Sequence, residues 1–430
     1  MRRNKIDIIS LGCSKNLVDS EHLMRQFQAA GYQVAHNASR VDGETVVVNT
    51  CGFIADAQQE SIDTILSLGE AKREGRIRNL FVMGCLAERF RADLIEALPE
   101  VDRFYGKFDR KQMLHDLGHA YRDDLALERC LTTPPHYCYL KISEGCNRFC
   151  AFCAIPLITG RHTSVPMYQL LDEVHQLTQR GVKEFNVIAQ DLSSYGMDLE
   201  GRMMLPELID RMADIEGVEW IRLHYAYPTQ FPLDILPVMA SRDNVCSYLD
   251  IALQHISDKV LTNMRRHITR QETLDLLARL RREVPGIHIR TTLMVGFPGE
   301  GEQEFEELMD FVREARFERM GAFAYSEESG TWAAEHLSDD TPQEVKQDRL
   351  QRLMELQEDI SLDIQEQKVG QTLRVMVDRE EDDYYIGRTE WDSPEVDPEV
   401  LISKEKPLTI GEFAQVHITQ ALPFELMGKI

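Results

Sequence analysis

The chain has 430 residues and a net charge of −24. That length allows about two to four domains with sizeable cores. The charge opposes non-specific attraction to nucleic acid, whose phosphates are bound chiefly through Lys and Arg, and favours a basic partner or a small substrate. Nine cysteines in so long a chain do not make a disulfide scaffold. Six of them sit where metal ligands would, which asks for a reducing compartment and predicts a cytoplasmic protein. The opening MRRNKIDIISLG is not a signal peptide, because Asp7 interrupts its apolar run. No stretch is apolar enough to cross a bilayer.

Residues 1–128 are expected to form an α/β domain. The run KIDIISL reads as a strand, and LVDSEHLMRQFQAAG as an amphipathic helix stopped by Gly31. ETVVVN and LFVMG are continuous apolar runs, the mark of parallel strands buried on both faces. Helices are expected from about Ala55 to Lys72 and from Leu86 to Leu98. Such alternation predicts a parallel sheet with helices packed on it.

A cysteine follows each of those strands: Cys13 in SLGCSKN, Cys51 in VVNTCGF and Cys85 in VMGCLAE. Parallel strands put their carboxyl ends on one edge, where ligands bind in open α/β sheets. Three cysteines far apart in sequence are therefore expected to meet and hold a cluster by three corners. The flanking Gly12, Gly52 and Gly84 would let the backbone approach a bulky ligand. The bland alternative is three buried strand-end thiols. Asn16, Asn49 and Thr50 read as turn and cap residues.

Residues 129–135, with Thr132, Thr133, Pro134 and Pro135, read as a linker. Next comes KISEGCNRFCAFC, which places Cys146, Cys150 and Cys153 in the spacing C-x3-C-x2-C. Closed structural zinc sites need four ligands, and no fourth Cys or His completes a pair nearby. Thiolates in this setting point to iron–sulfur chemistry, with one iron left open to an outside ligand. A zinc knuckle or three unrelated thiols is the bland alternative.

From 136 to 366 six strand–helix pairs can be counted. The strands are expected at Cys138–Ser143, Glu184–Ala189, Trp220–Tyr225, Cys246–Ala252, His288–Val295 and Met320–Tyr325. This predicts a partial (β/α)6 barrel with its site at the carboxyl ends of the strands. Those ends carry Gln190–Asp191, Tyr225, Tyr227, Gln254–His255, the glycines of MVGFPGE and Tyr325. Cys130, Cys138 and Cys246 match no ligand spacing and read as linker or strand interior.

A polar helix is expected over about Pro342–Lys368, and residues 367–430 alternate in short runs that predict a small antiparallel β-barrel. That last segment carries a net charge of −6. Its acids, among them Asp392, Glu395 and Asp397 of DSPEVDPEV, form either a solvated face or a dock for a basic protein.

The spacing of the cysteine loop, with Phe152 before its last cysteine, resembles the signature of radical S-adenosylmethionine (SAM) enzymes. The whole order of parts resembles the methylthiotransferase family, with its N-terminal three-cysteine domain, radical SAM barrel and C-terminal TRAM barrel. SLGCSKNLVDSE, NTCGFI, the IAQD turn, YLDIALQHIS, TTLMVGFPGE and DSPEVD are similar to the RimO-type branch. That resemblance implies two [4Fe–4S] clusters, on Cys13, Cys51 and Cys85 and on Cys146, Cys150 and Cys153, with SAM as radical source and methyl donor. Phe152, Gln190 and Gln254 become candidate cofactor contacts. The implied substrate is an aspartate β-carbon of small-subunit ribosomal protein S-twelve, with a separate electron donor and no side chain as general base. Methylthiolation of a tRNA adenosine is the first alternative, which a basic C-terminal barrel would favour; a non-catalytic iron–sulfur carrier is the second. Ala252, Ser329 and the spacing of MRRHIT depart from the family pattern and put local loop geometry in question.

Overall fold

The computed structural model describes residues 2–430. The first sheet has five parallel strands: β1 (Arg2–Ser10), β2 (Gln33–His36), β3 (Gly43–Thr50), β4 (Asn79–Gly84) and β5 (Arg103–Phe104). Their order is β2-β1-β3-β4-β5. The short edge strands β2 and β5 were not legible in the sequence. β1, β3 and β4 are adjacent, so the three cysteine-bearing ends lie side by side. Helices α1 (Ser14–Ala29), α2 (Ala55–Arg73) and α3 (Cys85–Ala97) start directly or within a few residues of those ends. Val46, Val48, Leu80 and Val82 pack beneath α2 and α3 on one face, and Ile6, Ile8, Val47 and Phe81 pack with Leu23 and Phe27 of α1 on the other. Both faces are covered, which is why these strands read as unbroken apolar runs.

The second sheet contains β6 (Tyr137–Lys141), β9 (Glu184–Ile188), β10 (Trp220–Ala226), β11 (Val245–Ile251), β12 (His288–Val295) and β13 (Arg319–Ala324), all parallel and in sequential order. Between β6 and β9 lie two short strands, β7 (Ser143–Glu144) and β8 (Thr163–Ser164), which pair antiparallel. The main sheet curves through six strands without pairing its ends. Its outer face and the surrounding helices share one core, including Phe185, Leu223, Ile251, Leu293 and Phe305. At the open edge, Leu17 and Val18 of α1 pack against Tyr137, Tyr139 and Ile188. The first sheet's helix thus covers the inner side of β6. Between the two sheets, Arg129 is fully buried and pairs with Glu21 of α1 (3.3 Å) and with Glu173 (3.0 Å).

The helix Gln343–Glu366 leads to a closed five-stranded barrel of β14 (Thr372–Glu380), β15 (Tyr384–Arg388), β16 (Glu399–Ser403), β17 (Phe413–Leu422) and β18 (Glu425–Lys429). Its pairs are antiparallel except β16 with β18, which run parallel. The acidic β15–β16 connection departs from expectation. Asp392, expected at the surface, is buried and accepts from Arg319 (3.0 Å), while Asp397 accepts from Tyr248 (2.7 Å) and Arg290 (3.2 Å). Ser393 meets His224 (3.3 Å), and Glu395 meets Tyr139 (3.2 Å). These partners sit on the inner side of the strands, away from the carboxyl ends. The segment is a plug that fastens the small barrel to the large one, because buried arginines need carboxylates. Asp382 and Asp383 stay exposed at the β14–β15 turn.

Candidate active site

Pairing of β7 with β8 draws the C-x3-C-x2-C segment into a closed loop at the carboxyl end of β6. Gly145 turns into it with φ +80°, and a Cβ there would lie 2.5 Å from the Arg161 carbonyl carbon, so only glycine fits. Cys146 N–H donates to Gly160 O (3.2 Å), and Cys153 N–H to Cys150 O (3.0 Å). Further out, Ala151 N–H donates to Met264 O (2.9 Å) and Ala151 O accepts from Ala333 N–H (2.8 Å). Phe152 sets its ring edge-on to Phe297 at 6.1 Å, in an apolar cluster with Met264 and Tyr325. It therefore anchors the loop to the ends of β12 and β13.

One charged donor touches the sulfurs. Arg266 Nη1 lies 3.1 Å from Cys150 Sγ, and its guanidinium stacks 4.1 Å from the Tyr227 ring centroid. Tyr227 OH is 3.5 Å from the same sulfur. Arg148 N–H reaches Cys146 Sγ at 3.5 Å, and its side chain pairs with Asp191 at 2.7 Å. Burial pushes the Cys146 thiol up to about 12 and raises Cys153 as well, with neighbouring thiolates adding to both. A bound metal removes those protons and reverses that preference.

Gln190 and Gln254 both reach the mouth. Gln190 Nε2 donates to Glu144, while its Oε1 is buried and unpartnered. Gln254 has a left-handed backbone (φ +73°), bonds through its main chain to Thr292 and Met294, and also leaves Oε1 without a partner. Tyr325 OH and Arg266 Nε are buried and unpaired in the same region. Buried polar groups are normally satisfied, so this set is arranged for something polar. His255, beside Gln254, turns away to Glu300 (3.1 Å) and Ser257. The space beside Gly296 is filled by Lys346, and that beside Gly299 by Asn263. These glycines serve the chain's own packing. A cavity of about 530 Å³ opens beside the loop, lined by Arg148, Phe149, Tyr227, Gln230, Arg265 and His267. Phe149, Gln230, Arg265 and His267 all have positive φ, and such strain concentrates at functional sites.

The first sheet builds its trio differently. A Cβ on Gly12 would lie 2.7 Å from Cys51 Cβ, one on Gly52 2.6 Å from Leu86 N, and one on Gly84 2.6 Å from Thr50 O. Each glycine therefore lets one cysteine-bearing turn press on the next. Asn16, expected as a turn residue, is fully buried; it donates to Leu11 O and Thr50 O and meets Cys85 Sγ at 3.5 Å. Asn49 donates to Asn16 O (2.9 Å). Together they brace the three turns. Cys51 and Cys85 are buried and Cys13 is exposed. The protein packed around Cys13 opposes its thiolate although the residue is open at the surface, but the Lys15 ammonium and the N–H of Asn16 hold its pKa below the usual thiol value. Burial raises Cys51, and pushes Cys85 up to about 12. Among the described residues, no three Cys, His or carboxylate side chains converge on a single ion. Cubane ligands stand wider apart, each on its own iron.

The first trio touches the segment that follows the second: Cys85 packs with Ala154, the residue after Cys153, and with Ile158. Around them Asp19 of α1 accepts from Lys107 (2.9 Å) and Lys141 (2.5 Å), and Lys141 also pairs with Glu144 (2.8 Å). Burial would raise the Asp19 carboxyl, but Lys107 and Lys141 hold it far below the usual range. Arg89 of α3 pairs with Glu328 (2.8 Å) and Ser329 O (2.6 Å), beyond β13. Ala252 O accepts from Arg266. Ala252 and Ser329, two of the three departures from the family pattern, thus contribute main-chain oxygens that any residue could supply. Arg266, Arg148, Lys107 and Glu328 escaped the sequence reading; the paired arginines of MRRHIT were the only local hint.

Family comparisons agree with this layout. The profile of Uncharacterized protein family UPF0004 matches residues 5–106, the Radical SAM superfamily 140–312 and the TRAM domain 369–430. A ribosomal protein uS12 methylthiotransferase RimO from Parabacteroides distasonis is 65% identical over the whole of both chains. The chain belongs to the RimO methylthiotransferase family. Members from Bacteroides thetaiotaomicron and Flavobacterium johnsoniae are 60% and 50% identical, covering 100% of this chain and 99% and 98% of theirs. The radical SAM methyltransferase TsrM from Kitasatospora setae, solved with cobalamin and a [4Fe–4S] cluster, matches with TM-score 0.55 at 12% identity over 75% of each chain. The cobalamin-dependent SAM radical enzyme OxsB, solved with SAM, matches with TM-score 0.52 at 13% identity, over 83% of this chain and 56% of that one. At such identities these likenesses show the shared fold alone. The residues of this chain fit a thiolate-held cluster with a polar cofactor beside it: three thiols, an arginine on one of them, and unpartnered Gln190 and Gln254 oxygens.

Proposed function

We propose that this chain transfers a methylthio group to the β-carbon of an aspartate in ribosomal protein uS12. The contact between the two cysteine-bearing regions carries this reading, because Cys85 sits against Ala154 and Ile158, which follow Cys153. A group held at one trio can then meet a substrate activated at the other. We read the functional units as 1–128, 136–366 and 367–430, joined by 129–135, in a cytoplasmic protein that draws electrons from a separate donor.

When bound, the two [4Fe–4S] clusters and SAM would pass on the donor's electron, generate the radical that can take hydrogen from an unactivated carbon, and hold and methylate the sulfur to be transferred. Cys146, Cys150 and Cys153 hold one cluster, and Cys13, Cys51 and Cys85 the other. Arg266 places a positive charge on the Cys150 sulfur and is fixed there by Ala252 O and the Tyr227 ring. Gln190 and Gln254 offer amide oxygens to the donors of a polar cofactor. Phe152 keeps the loop seated on an apolar floor. The packing of α1 on β6 shuts water out of the barrel's open side.

The test is to reconstitute and reduce the protein, incubate it with SAM, uS12 and tRNA together, and read both by mass spectrometry. Methylthio mass on the uS12 aspartate is expected. Gain on tRNA alone would overturn the substrate, and 5′-deoxyadenosine missing from every reaction would overturn the enzyme reading.

A further inference from the structure

The lysines at the junction of the two trios are not paired alike. Three ammonium groups gather there: Lys15, Lys107 and Lys141. Lys107 and Lys141 share Asp19 and Glu144. Asp250, the next carboxylate, is engaged by His224 (3.8 Å), Arg290 (3.9 Å) and the N–H of Tyr225 (3.2 Å). Lys15 has no carboxylate within ion-pair distance and donates to no acceptor among the described residues. Its Nζ instead rests 3.4 Å from the centroid of the Tyr225 ring.

The position is specific. Lys15 lies one residue beyond Ser14, at the start of α1, two residues after Cys13. Its tip crosses to the other domain, onto a tyrosine at the carboxyl end of β10. Tyr225 is held with φ +63°, a costly conformation for a bulky residue. Lys15 is half-buried, so a partner can reach it while water is partly excluded. Ser14 Oγ, beside it, is a buried hydroxyl without a partner. An ammonium with no carboxylate partner, parked on an aromatic face near Cys13 and between two sites meant to act on one carbon, suits an incoming anion.

We propose that Lys15 binds the side-chain carboxylate of the substrate aspartate and thereby positions its β-carbon between the two cysteine trios. This rests on the uS12 reading above. The carboxylate is one bond from the reacting carbon, so a contact to it fixes that carbon more closely than any contact to the substrate's main chain. It also gives discrimination, since an amide in the same place leaves the ammonium without its counter-charge.

The experiment measures binding of full-length reconstituted protein to uS12 carrying Asp or Asn at the target position, for native, Lys15→Met and Lys15→Arg proteins. Iron is quantified in each. Native protein is expected to favour the Asp form by about tenfold or more, the scale of a partly desolvated charge pair. Lys15→Met should lose that preference with its iron intact, and Lys15→Arg should restore part of it. If Lys15→Met keeps the native Asp preference, the proposal is overturned. Loss of one cluster's iron with the preference kept would assign the ammonium to the Cys13 sulfur and overturn it too. Native protein that bound neither form would overturn the substrate reading, and the proposal with it.

Discussion

The two cysteine trios reach similar ends by opposite routes. Cys146, Cys150 and Cys153 span eight residues of one loop, and their spacing is set by local hydrogen bonds within that loop. Cys13, Cys51 and Cys85 come from three strand ends and owe their meeting to the order β1-β3-β4. The first trio depends on one loop staying seated. The second depends on the whole sheet, and on glycines that let neighbouring turns touch. The local site should therefore tolerate sheet damage, and the assembled site should not.

The sharpest break comes from single ligands. Cys150→Ala should abolish 5′-deoxyadenosine formation from SAM below detection. Cys85→Ala should still produce it, because the loop site is intact, while yielding no methylthio product. Chromatography of the small molecules and mass spectrometry of uS12 separate these results. Equal loss of 5′-deoxyadenosine in both proteins would break the contrast.

Next in size is Arg266→Met. It removes the guanidinium from Cys150 Sγ and leaves the Ala252 carbonyl without its donor. Loss of such a ligand-supporting contact typically costs about 10–100-fold in metal affinity or activity. SAM cleavage should fall within that range and the reduction potential of the loop cluster should drop. The first-sheet cluster's spectrum should stay unchanged.

Glycines sharpen the comparison further. Gly84→Ala would set a Cβ 2.6 Å from Thr50 O at φ +98°. It should destabilise the iron-free protein by about 2–4 kcal/mol and lower iron at the first sheet's site. Gly160→Ala meets open space, so only the strain of its backbone (φ +71°, ψ −154°), on the order of 1–3 kcal/mol, remains. Thermal unfolding of the two iron-free proteins, followed by iron analysis, measures both effects.

Legibility in the sequence follows the same divide. The C-x3-C-x2-C loop, the six barrel strands and the strand-end cysteines announced themselves through spacing and apolar runs. Gln190 and Gln254 could be placed at the mouth because each follows a strand. Arg266, Lys107 and Glu328 could not, because their partners lie in other parts of the chain and no local pattern encodes such pairs. The stretch DSPEVDPEV misled for a related reason. A run of acids is indistinguishable in sequence from a solvated face until Arg319, Arg290 and Tyr248 are seen beneath it.

That plug supplies the smallest effect on chemistry. Burial would raise the Asp392 carboxyl, but Arg319 and Lys368 hold it at about 2, below its ordinary 3.8. A depressed folded-state value stabilises above the unfolded one, so this contribution is complete above about pH 4 and fades as pH falls towards 2. Its size is about 2 kcal/mol. Asp392→Asn should lower stability at pH 7 and flatten the acid limb of the stability curve, with SAM cleavage nearly unchanged. Denaturant titrations across pH would show it.

The most direct measurement is the iron content of the reconstituted protein and of two triple variants. Native protein should hold about eight irons, two cubanes' worth. Replacing Cys13, Cys51 and Cys85 by alanine should leave about four, in a cluster that still cleaves SAM. Replacing Cys146, Cys150 and Cys153 should also leave about four, in a cluster that does not. A first-sheet triple variant that retained all the native iron would contradict the account.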